Sequence, residues 1–281
     1  MRTEEVMCLS PKGYHRMVYH EWGHPDNERV LVCVHGLARN SRDFDEIAKA
    51  LSRDYRVVCP DVVGRGKSDW LHQPELYTFP QYLSDMMVLL GRLNVPNVAW
   101  LGTSMGGLIG MMLAAYPNSP IQQLVLNDIG PFVSHTALER IGGYLKPSAF
   151  NHLDEVEAAM RKTYPALRHL TDEQWRHMAR HNVKQEGEQW ILHYDPAIGV
   201  ASRQNASQDV DLWAMWEMIT QPQMLIWGEA SDVLEADTVQ RMQEKCSGLH
   251  TVSYPGIEHV PSLMEKDQID QVQDWLRSTS A

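Results

Sequence analysis

Cysteine is scarce in this chain. Four residues in 281, Cys8, Cys33, Cys59 and Cys246, show no C-x-x-C spacing. Two of them fall inside predicted core strands, so they read as small buried hydrophobes of a reducing compartment and not as a disulfide scaffold. No apolar run approaches the roughly 18 residues of a membrane span. The acidic start Met1-Arg2-Thr3-Glu4-Glu5 lacks the apolar core of a secretory signal. No basic stripe offsets a net charge of −11, which excludes unassisted binding to nucleic acid or anionic membrane surfaces. The expectation is a cytoplasmic protein with a small-molecule substrate as its partner, and with self-association into a homo-oligomer left open.

What is present is ordinary for a globular protein: 43% hydrophobic and 22% charged residues, and enough length for one α/β domain carrying an insertion. The most specific segment is Gly102-Thr103-Ser104-Met105-Gly106, directly after the apolar run Val98-Ala99-Trp100-Leu101. A G-x-S-x-G turn between a strand and a helix forces its serine into a strained, exposed conformation that only small neighbours tolerate. The following helix would aim its free N–H groups and positive dipole end at Ser104.

A nucleophilic serine needs a base, an acid that orients the base, and donors for the oxyanion. His259 follows the strand-like run 250–254 on the loop Pro255-Gly256-Ile257-Glu258-His259 and suits the base. Asp232 lies on the loop after the apolar run 223–227 and is the preferred acid, because that position follows the commoner arrangement. Asp128 also ends a probable strand and is the competing acid. The N–H of Met105, the residue after the nucleophile, is one expected oxyanion donor. The second is the N–H of Leu37, in the His35-Gly36-Leu37 turn that ends the continuous apolar strand Val30-Leu31-Val32-Cys33-Val34.

Runs near 17–21, 30–34, 56–59, 98–101, 123–127, 223–227 and 250–254 read as strands. They alternate with helical patterns at 44–51, 80–93, 108–116, 238–246 and 268–277. Such alternation predicts an α/β fold, a mainly parallel sheet with helices on both faces and catalytic loops at the strand C-terminal edge. The interval after residue 127 is too long for a structureless loop, and 137–145, 153–164 and 171–182 have helical character. Trp175, Trp190 and Tyr194 from this interval, with His35, are candidate substrate-binding residues. His177 and His181 have an i, i+4 spacing that suits a metal, yet no acidic partner is placed beside them by sequence, so no metal is expected.

Together these segments resemble the α/β-hydrolase family over almost the whole chain. The resemblance includes His35-Gly36, the segment Cys59-Pro60-Asp61-Val62-Val63-Gly64-Arg65-Gly66-Lys67-Ser68, the elbow and the loops around Asp232 and His259. It implies a core of residues 1–133 and 209–281 and a helical cap, residues 134–208, inserted after the sixth strand. The implied activity is cofactor-free serine hydrolysis of a carboxylic ester or related acyl bond through an acyl-enzyme. An aspartate at the elbow would mark a haloalkane dehalogenase, and Ser104 argues against one. The Ser-Met-Gly-Gly of residues 104–107 also resembles carbon–carbon bond hydrolases, although His259 is followed by Val260-Pro261-Ser262-Leu263 without their usual tryptophan. Lactone hydrolysis stays open, since a lactone is a cyclic ester, whereas a non-catalytic role as a ligand receptor would be favoured by the loss of a triad member, and Ser104, Asp232 and His259 can all be assigned.

Overall fold

The computed structural model describes residues 1–71, 73–164, 167–205 and 207–280. Strands β1 (Arg2–Ser10), β2 (Gly13–Trp22), β3 (Val30–Val34), β4 (Arg56–Pro60), β5 (Val98–Thr103) and β6 (Ile121–Asn127) come first in the chain. Five short strands follow: β7 (Phe132–Val133), β8 (Ala149–Phe150), β9 (Val183–Glu186), β10 (Gln189–Leu192) and β11 (Val210–Asp211). Then come β12 (Gln223–Gly228) and β13 (His250–Tyr254). The helices are α1 (Asp45–Leu51), α2 (Phe79–Leu93), α3 (Met105–Ala114), α4 (His135–Tyr144), α5 (Leu153–Thr163), α6 (Asp172–Asn182), α7 (Ala197–Asn205), α8 (Trp213–Trp216), α9 (Ala236–Lys245) and α10 (Lys266–Ser278).

The main sheet has eight strands in the order β1-β2-β4-β3-β5-β6-β12-β13. Pairing from β4 through β13 is parallel, while β1, β2 and β4 pair antiparallel at one edge. All five residues of β3 are buried, as a central strand covered on both faces requires. Its alternation divides the core: Val30, Val32 and Val34 pack on the α2, α3 and α9 side, whereas Leu31 and Cys33 pack with α1 and α10.

Two elements differ from expectation. The sequence pattern does not reveal β1, because it is an edge strand whose alternate residues, Met7 and Leu9 among them, face solvent and mask its period. Helix α3 begins at Met105, three residues earlier than its propensity indicates. Gly106 and Gly107 disfavour helix in isolation, and close packing against the sheet overrides that preference here.

The chain leaves and re-enters the core at one place, where β7 and β11 pair antiparallel with Val133 opposite Val210. Between them lie α4 to α7 and a three-stranded sheet, β8-β10-β9. This segment has its own apolar cluster of Val156, Met160, Leu167, Leu170, Trp175, Met178, Ala179 and Val183, joined by Met264. It rests on core loops through direct hydrogen bonds. Gly66 N–H donates to the His193 carbonyl (2.9 Å), Asp195 N–H to the Gly64 carbonyl (2.7 Å) and the Asn40 side-chain amide to the His181 carbonyl (2.9 Å). Among the described residues no helix is long and apolar enough to cross a membrane.

Candidate active site

Ser104 stands between β5 and α3 with φ 50° and ψ −115°, a conformation costly for a residue with a side chain. The turn closes only because its flanking residues lack side chains. A Cβ at Gly102 would lie 2.3 Å from the Gly106 carbonyl oxygen, and one at Gly106 would lie 2.0 Å from that of Val34. Beneath the turn the fully buried Trp100 donates its indole N–H to the Gly106 carbonyl at 3.0 Å.

Two backbone N–H groups are oriented beside Ser104. The Ser104 carbonyl accepts from Gly107 N–H (2.8 Å) and Leu108 N–H (3.1 Å) in the first turn of α3. The opposite edge of that trans peptide, Met105 N–H, is thereby turned out of the helix N-terminus. The Gly36 carbonyl is held in the same way, by Arg39 N–H at 3.1 Å and by the His35 ring at 2.7 Å, which directs Leu37 N–H away from them. Among the described residues, neither Met105 N–H nor Leu37 N–H has a protein acceptor.

His259 joins serine to acid. Its Nδ1–H donates to Asp128 Oδ2 at 2.7 Å, and its Nε2 accepts from the Ser104 hydroxyl at 3.0 Å. The carboxylate only accepts, which assigns the proton to Nδ1 and leaves Nε2 its lone pair. Asp128 is completely buried at the end of β6, and its carboxylate also accepts from Gly228 N–H (2.8 Å) and the Ser231 hydroxyl (2.6 Å). Asn127 braces the neighbourhood: its side-chain amide donates both to Thr103 and to the Pro261 carbonyl just past His259.

The carboxylate that reaches His259 is therefore Asp128, and the preference for Asp232 is corrected. Asp232 is half exposed and ion-paired with Arg140 on α4. Both acids lie beyond strand ends, but Asp128 immediately follows β6, whereas Asp232 is four residues past β12 and the loop has already turned outward. Ser231 occupies the position facing the imidazole's partner and serves it as a hydrogen-bond donor.

The other candidates also divide. His35 is wholly buried, and its Nε2 accepts from Val62 N–H at 3.0 Å while its Nδ1–H holds the Gly36 carbonyl, so no ring nitrogen is left for a substrate. Trp175 lies inside the apolar cluster of the insertion, and Trp190 packs against that cluster. Tyr194 lines an adjoining cavity with Tyr164 and Leu192, and burial pushes its hydroxyl pKa up to about 12. The residues that do surround Ser104 are mostly aliphatic. A cavity of about 360 Å³ extends over Met105, Leu108, Ile129, Val133, Ile141 and Val233. A smaller lobe of about 110 Å³ runs past His259 toward Arg39, Tyr164, Met178 and Met264. Their apolar character in sequence is that of any core, so only the fold distinguishes them.

His177 and His181 are half-buried against the core, and the fold does bring Asp45 to them, 3.3 Å from His177. Arg42 already engages the Asp45 carboxylate and approaches His181 Nδ1 at 3.4 Å, a cation where a metal would sit. Burial together with Arg42 and His177 brings the His181 pKa down to about 4. Burial likewise brings His35 down to about 4 and lowers His20 and His193. Between their ordinary value of 6.5 and these lowered values, the unfolded chain binds protons that the folded chain refuses. Stability is expected to fall by a few kcal/mol as pH drops from about 7 to 5, with more than one proton taken up on unfolding. Urea denaturation across this range checks this, and an unchanged midpoint would contradict it.

The family model of the alpha/beta hydrolase fold matches residues 29–265, and the chain belongs to that family. It is a hydrolase of this fold. It is 46% identical over 274 residues to a 3-hydroxybutyrate-oligomer hydrolase of Cupriavidus necator, an alignment covering 94% of each chain. Among solved structures it is similar to a protein from Rickettsia typhi (32% identity, TM-score 0.93, all of both chains). It is also similar to an alpha/beta hydrolase from Novosphingobium aromaticivorans (32% identity, TM-score 0.86, 98% of both chains).

Proposed function

We propose that this protein is a serine hydrolase that cleaves the ester bonds of short hydroxy-acid oligomers, with 3-hydroxybutyrate oligomers as the leading substrate. The observation that carries the reading is His259 bridging Ser104 and Asp128 through its two ring nitrogens. The oligomer hydrolase of 46% identity over nearly the full length supplies the substrate class.

In this reading Ser104 Oγ attacks the ester carbonyl as its proton passes to His259 Nε2, and Asp128 stabilises the resulting imidazolium. The tetrahedral oxyanion accepts from the N–H groups of Leu37 and Met105, which are already oriented and cost no reorganisation. The carbon–oxygen bond then breaks, and the leaving hydroxy acid takes its proton from His259. Its exit fits the small lobe, because that lobe is lined by His259. The acyl group lies in the larger apolar lobe until water, deprotonated by His259, attacks the acyl-enzyme and regenerates Ser104. No metal or organic cofactor has a step in this sequence. Residues 134–208 act as a cap over a core of residues 1–133 and 209–281, contributing Ile141, Tyr164 and Met178 to the cavity walls.

The test is hydrolysis of 3-hydroxybutyrate dimer and trimer beside p-nitrophenyl esters from acetate to decanoate, with a fluorophosphonate label read by intact mass. Monomer release from the oligomers with kcat/KM of about 10⁴ M⁻¹s⁻¹ or more is expected. Turnover of the simple esters alone would remove the oligomer assignment. Neither turnover nor labelling would bring the ligand-receptor role forward.

A further inference from the structure

Arg65 is a cation that the hydrolytic steps do not use, and it is buried without an acid. Its side chain has 0% exposure, yet among the described residues no carboxylate is within ion-pairing distance. The buried acid on the same loop, Asp61, is spent elsewhere: its two oxygens accept from Ser41 N–H (2.9 Å) and Lys67 N–H (2.8 Å). Arg65 instead donates to neutral groups. Nε–H bonds the Leu37 carbonyl at 2.8 Å, Nη1 bonds the Val63 carbonyl (2.7 Å) and the Tyr82 hydroxyl (3.1 Å), and Nη2 reaches the Met105 sulfur at 3.6 Å. The guanidinium also lies over the rings of Tyr82 and Tyr77, at 5.0 and 5.7 Å from their centroids.

A buried charge is costly unless it is paired and hydrogen-bonded, and Arg65 has hydrogen bonds but no paired acid among the described residues. The two residues joined by this fork are the two whose N–H groups flank Ser104. We infer that Arg65 is a positioning residue for the oxyanion. It holds Leu37 and Met105 at a set separation, and its unpaired positive charge lies behind the point where negative charge develops on the substrate. The ground-state ester is neutral and gains little from that charge, whereas the tetrahedral intermediate gains much, so the benefit appears in kcat. This inference rests on the serine-hydrolase reading and adds the residue that tunes it. The loop supports the role. Gly66 has φ 53° and packs so tightly on Asp61 that a Cβ would lie 2.2 Å from its Cγ, which gives the Arg65 backbone a rigid base.

The experiment compares wild type with Arg65→Met, which removes charge and fork, and Arg65→Lys, which keeps charge alone. Each is tested with p-nitrophenyl butyrate and with two inhibitors of the same chain length. One is a trifluoromethyl ketone, which adds Ser104 to give an alkoxide; the other is the unfluorinated ketone, which binds without addition. Arg65→Met is expected to lower kcat about 10²-fold with KM within about threefold, and to weaken the trifluoromethyl ketone by a like factor while leaving the plain ketone unchanged. Arg65→Lys is expected to recover roughly tenfold of the lost kcat.

A folded Arg65→Met with wild-type kcat, or equal losses for both ketones, would overturn the inference. If Arg65→Met does not fold, the two ketones on Arg65→Lys decide it: selective weakening of the fluorinated one supports the role and equal inhibition overturns it. Wild type that neither turns over nor labels would overturn the hydrolase reading itself. Active wild type beside an unaffected Arg65→Met would overturn this inference alone.

Discussion

Asp128→Asn is expected to lower kcat about 10⁴-fold with little change in KM. The amide is nearly isosteric: its oxygen, at the Oδ1 position, still accepts from Gly228 N–H, and its nitrogen, at the Oδ2 position, faces His259 and donates to the Ser231 oxygen, so the buried site keeps its shape. The loss is electronic and tautomeric. An amide nitrogen facing His259 Nδ1 donates where the carboxylate accepts, which puts the imidazole proton on Nε2 and removes the lone pair that Ser104 needs. The imidazolium formed on attack also loses its counter-charge. Asp232→Asn is the companion measurement. That carboxylate is exposed and paired with Arg140, so activity is expected within about twofold of wild type. Steady-state kinetics of the two variants on one ester decides between the acids, and the opposite pattern would reassign the orienting role to Asp232.

Ser104→Ala is expected to lower kcat by about 10⁵-fold to 10⁶-fold and to abolish fluorophosphonate labelling. The residual rate would come from the Leu37 and Met105 donors and the cavity, which the substitution leaves in place. A second consequence concerns stability. Ser104 is held at φ 50° by Gly102 and Gly106, whose close approaches fix the turn. Relief of that strain in Ser104→Gly is expected to raise unfolding free energy by about 1 kcal/mol while activity is lost. Urea denaturation measures it, and a less stable glycine variant would mean that the turn is not strained.

The fold is legible in the sequence where the physics is local. Continuous apolar runs ending in small-residue turns mark β3, β5 and β12, and the elbow carries its own constraint in Gly102 and Gly106, so the α/β-hydrolase family can be read from the chain and agrees with the family match. Ser104 and His259 are legible for the same reason, as polar residues at strand ends. The choice of acid is not. Asp128 and Asp232 both follow strand ends, the commoner arrangement favours Asp232, and only the outward turn of the loop after β12, with Ser231 facing inward, shows that Asp128 is the one that reaches His259. The insertion is hardest: Trp175 has the character of a recognition residue and is packing, because aromatic residues signal burial without saying against what. Arg65 reads as loop structure, since a sequence shows a charge but not whether a counter-charge lies beside it.

Acid-quenched intact and peptide mass spectrometry during turnover of 3-hydroxybutyrate dimer addresses Ser104 as nucleophile in the most immediate way. A mass increment of one hydroxyacyl group is expected within the first turnover, confined to the peptide carrying Ser104 and absent from Ser104→Ala. Product release at full rate with no covalent increment on any peptide, or an increment that persists in Ser104→Ala, would contradict the mechanism.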